Sequence, residues 1–223
     1  MNRTNQNLSQ IAQDERHAIS EHGREMLAQG LTKGTGGNIS ALVDGEYMAI
    51  SPSGMSYEDV EADDVPVLDF SQEQLLGEKQ PSSEHSMHMQ VYRQRDDVGG
   101  VVHNHSPYAT TFATLNEPIP ASHYLIAFAG KKVPVASYET YGTEQLGNIA
   151  VKTLGSRYNA CLLQNHGVLA VGDDIASAFE TALMVEYCAR IHYQASVIGE
   201  PTVIPDEEVE HLQSKFEGYG QNG

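Results

Sequence analysis

The sequence predicts an α/β chain, α+β-like in its connections: a mixed, mostly antiparallel central sheet covered by helices on both faces. Three observations carry this. Segments with helical spacing alternate with short apolar runs of strand length. Two neighbouring runs, residues 39–43 and 47–50, are joined by Asp44-Gly45, a hairpin signal that an all-parallel sheet cannot contain. Finally, a chain of 223 residues buries about 70% of the surface it exposes when unfolded, which suits one sizeable core. Residues 1–223 are therefore expected to form a single domain.

The elements follow in order. Residues 8–29 place Leu8, Ile11, Ala12, Ala18, Ile19, Met26 and Leu27 at roughly helical spacing, and Gly30 ends the pattern. The next stretch, Thr32-Lys33-Gly34-Thr35-Gly36-Gly37-Asn38, is too glycine-rich for a helix interior. Strands at 39–43 and 47–50 lead to a second tight turn, Ser51-Pro52-Ser53-Gly54, and a third strand at 65–70. Pro81-Ser82-Ser83-Glu84 introduces a helix to Gln94, with hydroxyls where an N-cap belongs. Residues 99–105 read as a buried strand, and Ser106-Pro107 starts the next helix. Helices near 122–129 and at 143–154 flank a strand at 132–136. Apolar strands at 160–164 and 168–171 enclose Asn165-His166-Gly167, before a long helix at 174–198 and a last one at 206–216. The termini, about 1–6 and 217–223, are expected to be mobile.

Thirteen basic against thirty acidic side chains give a formal charge of −17. That balance argues against a nucleic-acid binder, which needs a basic face to displace phosphate counterions, and against docking on anionic lipid. No apolar run reaches membrane-span length, and the polar N-terminus carries neither a secretory nor a lipidation pattern. Cys161 and Cys188 sit in apolar surroundings and read as buried free thiols. These features predict a soluble cytoplasmic protein.

The strongest chemical signal is Val101-Val102-His103-Asn104-His105. Alternate residues of a strand share a face, so His103 and His105 point together and Asn104 points away. Two imidazoles on one face suit a divalent metal, and a catalytic zinc commonly takes three protein ligands. His166 is the natural third; His123, in Ser122-His123-Tyr124, is the other candidate, and spacing does not choose between them. His17, His22, His85, His88, His192 and His211 fall on polar or helical surfaces and read as bystanders. Two segments suit an anion. Backbone amides of Gly34-Thr35-Gly36-Gly37-Asn38 can converge as a nest, although the segment matches neither a P-loop nor a dinucleotide fingerprint. Ser82-Ser83 at a helix start either bind an anion or simply cap the helix. Glu84 beside them is either a metal ligand and general base or a first-turn carboxylate favoured by the helix dipole.

Taken together, these segments resemble the class II aldolase/adducin-head family. Its motifs match Lys33-Gly34-Thr35-Gly36-Gly37-Asn38-Ile39-Ser40, Ser51-Pro52-Ser53-Gly54, Pro81-Ser82-Ser83-Glu84, the His103-Asn104-His105 strand, Ile119-Pro120-Ala121-Ser122-His123-Tyr124, Tyr141-Gly142-Thr143 and Leu163-Gln164-Asn165-His166-Gly167, in the family's order. The resemblance implies one Zn²⁺ per subunit, on His103, His105 and His166 with Glu84 approaching it. It implies Glu84 as the catalytic carboxylate and a phosphate site at Gly37, Asn38, Ser53, Gly54, Ser82 and Ser83. Tyr124 falls on the position of a tyrosine that reaches a neighbouring subunit's site as an acid, and Tyr141 and Tyr219 on positions that shape the aldehyde side. The implied fold is a mostly antiparallel sheet between helical layers, in a homotetramer with sites at the interfaces. The implied activity is reversible cleavage of a 1-phosphorylated ketose, L-fuculose 1-phosphate or a similar deoxy-ketose phosphate. The products are dihydroxyacetone phosphate and a short aldehyde such as L-lactaldehyde. No Schiff-base lysine accompanies these groups.

The resemblance also admits sister enzymes. Pentulose-5-phosphate 4-epimerases carry Asp at the position of Glu84, whereas methylthioribulose-1-phosphate dehydratases and aldolases of other deoxy-pentulose phosphates share most of these residues. Adducin-like heads keep the fold as assembly modules but lose the metal ligands, all of which are present here.

Overall fold

The computed structural model describes residues 3–216, with side chains described from residue 7. Tyr219 and residues 217–223 lie outside the described residues.

Two helices, α1 (Arg3–Ile11) and α2 (Gln13–Ala28), open the chain. The single helix expected over 8–29 is thus interrupted at Ala12, whose ψ of 7° departs from the helical value. The hairpin β1 (Asn38–Val43) and β2 (Tyr47–Ile50) turns through Asp44 and Gly45, both in the left-handed region. That turn is the one the sequence signals. The third strand, β3 (Val67–Asp69), is shorter than expected because Pro66 precedes it. It turns back through Gln72, at positive φ, into β4 (Gln74–Leu76), a strand the pattern did not reveal. Next come α3 (His85–Gln94), β5 (Gly100–Asn104), α4 (Pro107–Leu115), a 3₁₀ turn at Tyr124–Phe128 and β6 (Val135–Ala136). The chain then runs through α5 (Glu144–Leu154), β7 (Ala160–Leu163), β8 (Gly167–Gly172), α6 (Ile175–Ile198) and α7 (Asp206–Phe216).

Among the described residues the eight strands form one sheet in the order β4-β3-β2-β1-β5-β8-β7-β6. Only β6 and β7 pair in parallel; every other pairing is antiparallel. The mixed, mostly antiparallel sheet expected from the sequence is therefore the one observed. Strand alternation divides the core. Ile39, Ala41, Val102, Leu162, Val168 and Ala170 pack with α2, α4 and α6 on one face. Val101, Cys161, Leu163, Leu169 and Val171 pack with α3 and α5 on the other. Both cysteines are buried free thiols, as expected, and burial pushes each up to about 12. No described helix is long and apolar enough to cross a membrane.

Antiparallel order also locates the site. The start of β1, the end of β5 and the start of β8 lie at the same end of the sheet, with Asn38 opposite His103 and Asn104 opposite Val168. The residues with metal-ligand and anion-nest character therefore meet at one edge, although the sequence separates them widely.

Candidate metal and phosphate site

His103 lies on β5, His105 just past its end, and His166 in the tight turn between β7 and β8. Asn165 takes a left-handed φ of 56° in that turn, a conformation Asn adopts more readily than most residues. The three rings converge: their ligand nitrogens all lie within 4.8 Å of one another. His103 Nε2 stands 3.1 Å from His105 Nε2, and the rings of His103 and His166 are 4.7 Å apart. Glu84 completes the group, with Oε2 3.2 Å from His103 Nε2 and Oε1 3.6 Å from His166 Nε2. The structure thus chooses His166 over His123, whose Nδ1 instead accepts from the Leu125 amide beside Tyr124 and Tyr187.

These side chains fit a divalent metal on three counts. The nitrogen spacing approaches the tetrahedral edge of roughly 3.3 Å that zinc–imidazole bonds of about 2.0 Å produce. His103 Nδ1 donates to the Val168 carbonyl at 2.8 Å, which leaves its Nε2 free to ligate. Glu84 Oε1 is buried without a hydrogen-bond partner among the described residues, an arrangement that is costly unless a cation is to be met.

Electrostatics couple the four groups. Burial would raise the Glu84 carboxyl, but the charge and hydrogen bond of His103, then His166 and the Asn38 amide, outweigh it and hold Glu84 well below the usual carboxylate range. His105 and His166 are lowered to about 4, each by burial first and then by the neighbouring imidazoles. Burial would lower His103 as well, but the Glu84 carboxylate overrides it and raises it. A site with two neutral imidazoles and an ionised carboxylate at pH 7 is prepared for a cation.

A cavity of about 260 Å³ opens onto Glu84, His105 and His166. Gly37, Asn38, Ser53, Gly54, Ser82 and Ser83 all line it, with Tyr141 at its mouth. Thr35 and Gly36, from the same glycine-rich segment, and Pro52, from the Ser51–Gly54 turn, line it too. No Lys or Arg lines this cavity. An anion there would meet hydroxyls and backbone amides, as in a nest.

Four expectations need correction or qualification. Ser82 and Ser83 do not cap α3: the N-cap position is Glu84, which makes no capping hydrogen bond, and Ser82 Oγ accepts from the Glu84 amide in the turn ahead of the helix. Second, His88 is no surface bystander but is fully buried, with Nε2 against Asn38 Oδ1. The sequence offers only its spacing, four residues after Glu84 and so on the same helix face, which does not say what that face meets. Third, Tyr124 is half exposed on the 3₁₀ turn and does not line the cavity of its own chain. Fourth, Tyr141 is two-thirds exposed, so it borders the cavity without enclosing it.

Comparison with known proteins agrees with this geometry. The family model for the class II aldolase and adducin N-terminal domain matches residues 17–193. The chain is 48% identical to the 5-deoxy-D-ribulose 1-phosphate aldolase of Bacillus thuringiensis serovar kurstaki over 95% of its own length and 99% of the relative's. It is 39% identical to the L-fuculose phosphate aldolase of Escherichia coli K12, covering 88% and 91% of the two chains. A solved L-fuculose 1-phosphate aldolase superposes with a TM-score of 0.88 at 44% identity, over 92% of this chain and 96% of that one. The chain therefore belongs to the class II aldolase and adducin N-terminal domain family, among its aldehyde-lyases.

Proposed function

We propose that this protein cleaves a deoxy-ketose 1-phosphate reversibly between C3 and C4, giving dihydroxyacetone phosphate and a short aldehyde. The observation that carries the reading is the adjacency of two kinds of site. Three imidazoles and Glu84 cluster at one point, and Glu84, His105 and His166 of that cluster line a cavity shared with the glycine, serine and asparagine residues suited to an anion.

A divalent transition metal, zinc for an all-imidazole set, would supply the electron sink that such a cleavage needs. His103, His105 and His166 would hold it. Gly37, Asn38, Ser53, Gly54, Ser82 and Ser83 bind the C1 phosphate and so orient the ketose. The buried Glu84 carboxylate moves the proton at C3, delivering it once the C3–C4 bond has broken and removing it in the synthetic direction. Tyr124 does not line the cavity of its own chain, and the role assigned to it here, on the resemblance, is to serve the aldehyde half of a neighbouring copy. That role accords with a homotetramer whose sites lie at interfaces. Tyr141, at the cavity's mouth, serves the aldehyde side.

Relatives named for 5-deoxy-D-ribulose 1-phosphate and for L-fuculose phosphate both align over nearly the whole chain, the first at 48% identity and the second at 39% and 44%. The higher identity favours the five-carbon substrate, whose aldehyde product is acetaldehyde, over the six-carbon one that yields L-lactaldehyde. Cleavage assays on both ketose phosphates, with dihydroxyacetone phosphate detected enzymatically, test the proposal. Preferred turnover of the five-carbon substrate is expected. Loss of water or epimerisation without carbon–carbon cleavage would overturn it in favour of a sister activity.

A further inference from the structure

The polar groups do not stop at Glu84. Asn38 Nδ2 donates to Glu84 Oε2 at 2.9 Å, and Asn38 Oδ1 faces His88 Nε2. His88 Nδ1 meets Ser40 Oγ at 2.7 Å, and Ser40 Oγ meets the Tyr92 hydroxyl at 2.8 Å. All five residues are at least nine-tenths buried. The arrangement is periodic. Asn38 and Ser40 share one face of β1, whereas Glu84, His88 and Tyr92, four residues apart, share one face of α3.

In such a chain the direction of every bond is forced. An ionised carboxylate only accepts, so the Asn38 amide must turn its NH₂ toward Glu84 and its oxygen toward His88. His88 must then carry its proton on Nε2. Burial holds His88 down to about 3, so the ring is neutral at pH 7 and its Nδ1 is an acceptor. Ser40 therefore donates to Nδ1 and in turn accepts from Tyr92, whose phenol burial keeps protonated. A flipped amide would set its oxygen against the Glu84 carboxylate, two acceptors facing one another out of water.

We propose that His88 is a positioning residue for the reaction: its Nε2–H locks the Asn38 amide in the one orientation that directs an N–H at Glu84, and Ser40 and Tyr92 lock the His88 tautomer. The inference rests on Glu84 being the acid–base group proposed above. Removing the lock leaves Asn38 in place but its side-chain amide free to flip, so Glu84 loses its fixed donor while Gly37, Ser53, Gly54, Ser82 and Ser83 keep their places around the phosphate. The cost should fall on kcat and not on KM.

Two measurements test this separately from the functional reading. ¹⁵N NMR of the wild-type protein labelled in its histidine side chains should show His88 as the neutral Nε2–H tautomer at pH 7, with no substrate needed. An Nδ1–H tautomer or an imidazolium would overturn the proposal whatever the enzyme cleaves. Kinetics then follow on whichever ketose phosphate the wild type turns over. His88→Phe should lose about tenfold or more in kcat, the scale of outer-shell substitutions, with KM changed less than about twofold. His88→Gln, which can still donate to Asn38, should recover most of that loss. In an Asn38→Ala background, His88→Phe should add almost nothing, because the group it acts through is gone. Full multiplication of the two losses, or a Gln variant as impaired as Phe, would refute the role. Should His88→Phe fail to fold, His88→Gln and Tyr92→Phe carry the kinetic test: the first should stay near wild type and the second fall below it in kcat alone. The reverse order overturns the proposal.

Discussion

Gly37 is a tight joint in the site, and replacing it with alanine gives a test whose size follows from the coordinates. Gly37 has φ of +72°, a region that costs an L-residue roughly 1–2 kcal/mol. An added Cβ would also lie 2.6 Å from the His103 carbonyl oxygen and 3.3 Å from Asn104 Cα. Relieving that overlap to ordinary contact requires the end of β5 to retreat by several tenths of an ångström, and overpacking of this kind costs about 1–3 kcal/mol more. Gly34 is the natural control. It too has positive φ, +62°, but a Cβ there meets nothing within 4 Å. Gly34→Ala should therefore cost about 1–2 kcal/mol and Gly37→Ala about 2–5. At roughly 2–4 °C per kcal/mol for a chain of this size, Tm should fall by about 2–8 °C and 4–20 °C respectively. Because the displaced segment carries His103 and precedes His105, Gly37→Ala should also lower metal affinity, and Gly34→Ala should not. Urea unfolding of both variants, with metal content determined after equilibration at limiting zinc, makes the comparison. Equal destabilisation with unchanged metal affinity would refute the assigned contact between the glycine loop and β5.

Three other outcomes are expected. Glu84→Gln should keep its metal, since the three imidazoles are untouched, yet lose cleavage by about 10²-fold or more, the scale of general acid–base catalysis; steady-state kinetics with metal analysis would decide, and wild-type turnover would remove Glu84 from its role. Chelation should abolish activity and addition of Zn²⁺ restore it, and activity unaffected by prolonged chelation and dialysis would sink the metal reading. The metal-free protein should lose stability in acid. His88 is held down to about 3 against an unfolded value near 6.5, so its contribution is complete above pH 6.5 and is lost as pH falls toward 3, by about 2 kcal/mol already at pH 5. His105 and His166 act in the same sense, whereas raised His103 contributes fully below pH 6.5 and does not oppose the loss there. Urea unfolding at pH 6.5 and pH 5 reads the difference, and equal stabilities would contradict it.

The sequence by itself determined a good deal. Two-residue alternation in the Val101–His105 stretch put two imidazoles on one face before any partner strand was known. Asp44-Gly45 specified a hairpin, and Gly34–Asn38 and Ser82–Ser83 stood out by composition as candidate anion-binding segments. All of these are local properties, set by backbone sterics and the strand period within a few residues. Tertiary structure decided what depends on pairing between distant segments. His166 rather than His123 completes the cluster because β8 pairs with β5 in a register that sets Val168 against Asn104. The serines precede α3 without capping it because Glu84, at the N-cap, turns toward Asn38 and His103. His88 changed from bystander to buried partner because α3 lies against β1, and whether a polar residue faces solvent or a neighbouring strand is not written in its own helix. Antiparallel register brings residues 38, 84, 103 and 166 to one edge of the sheet, and only long-range packing energy selects that register.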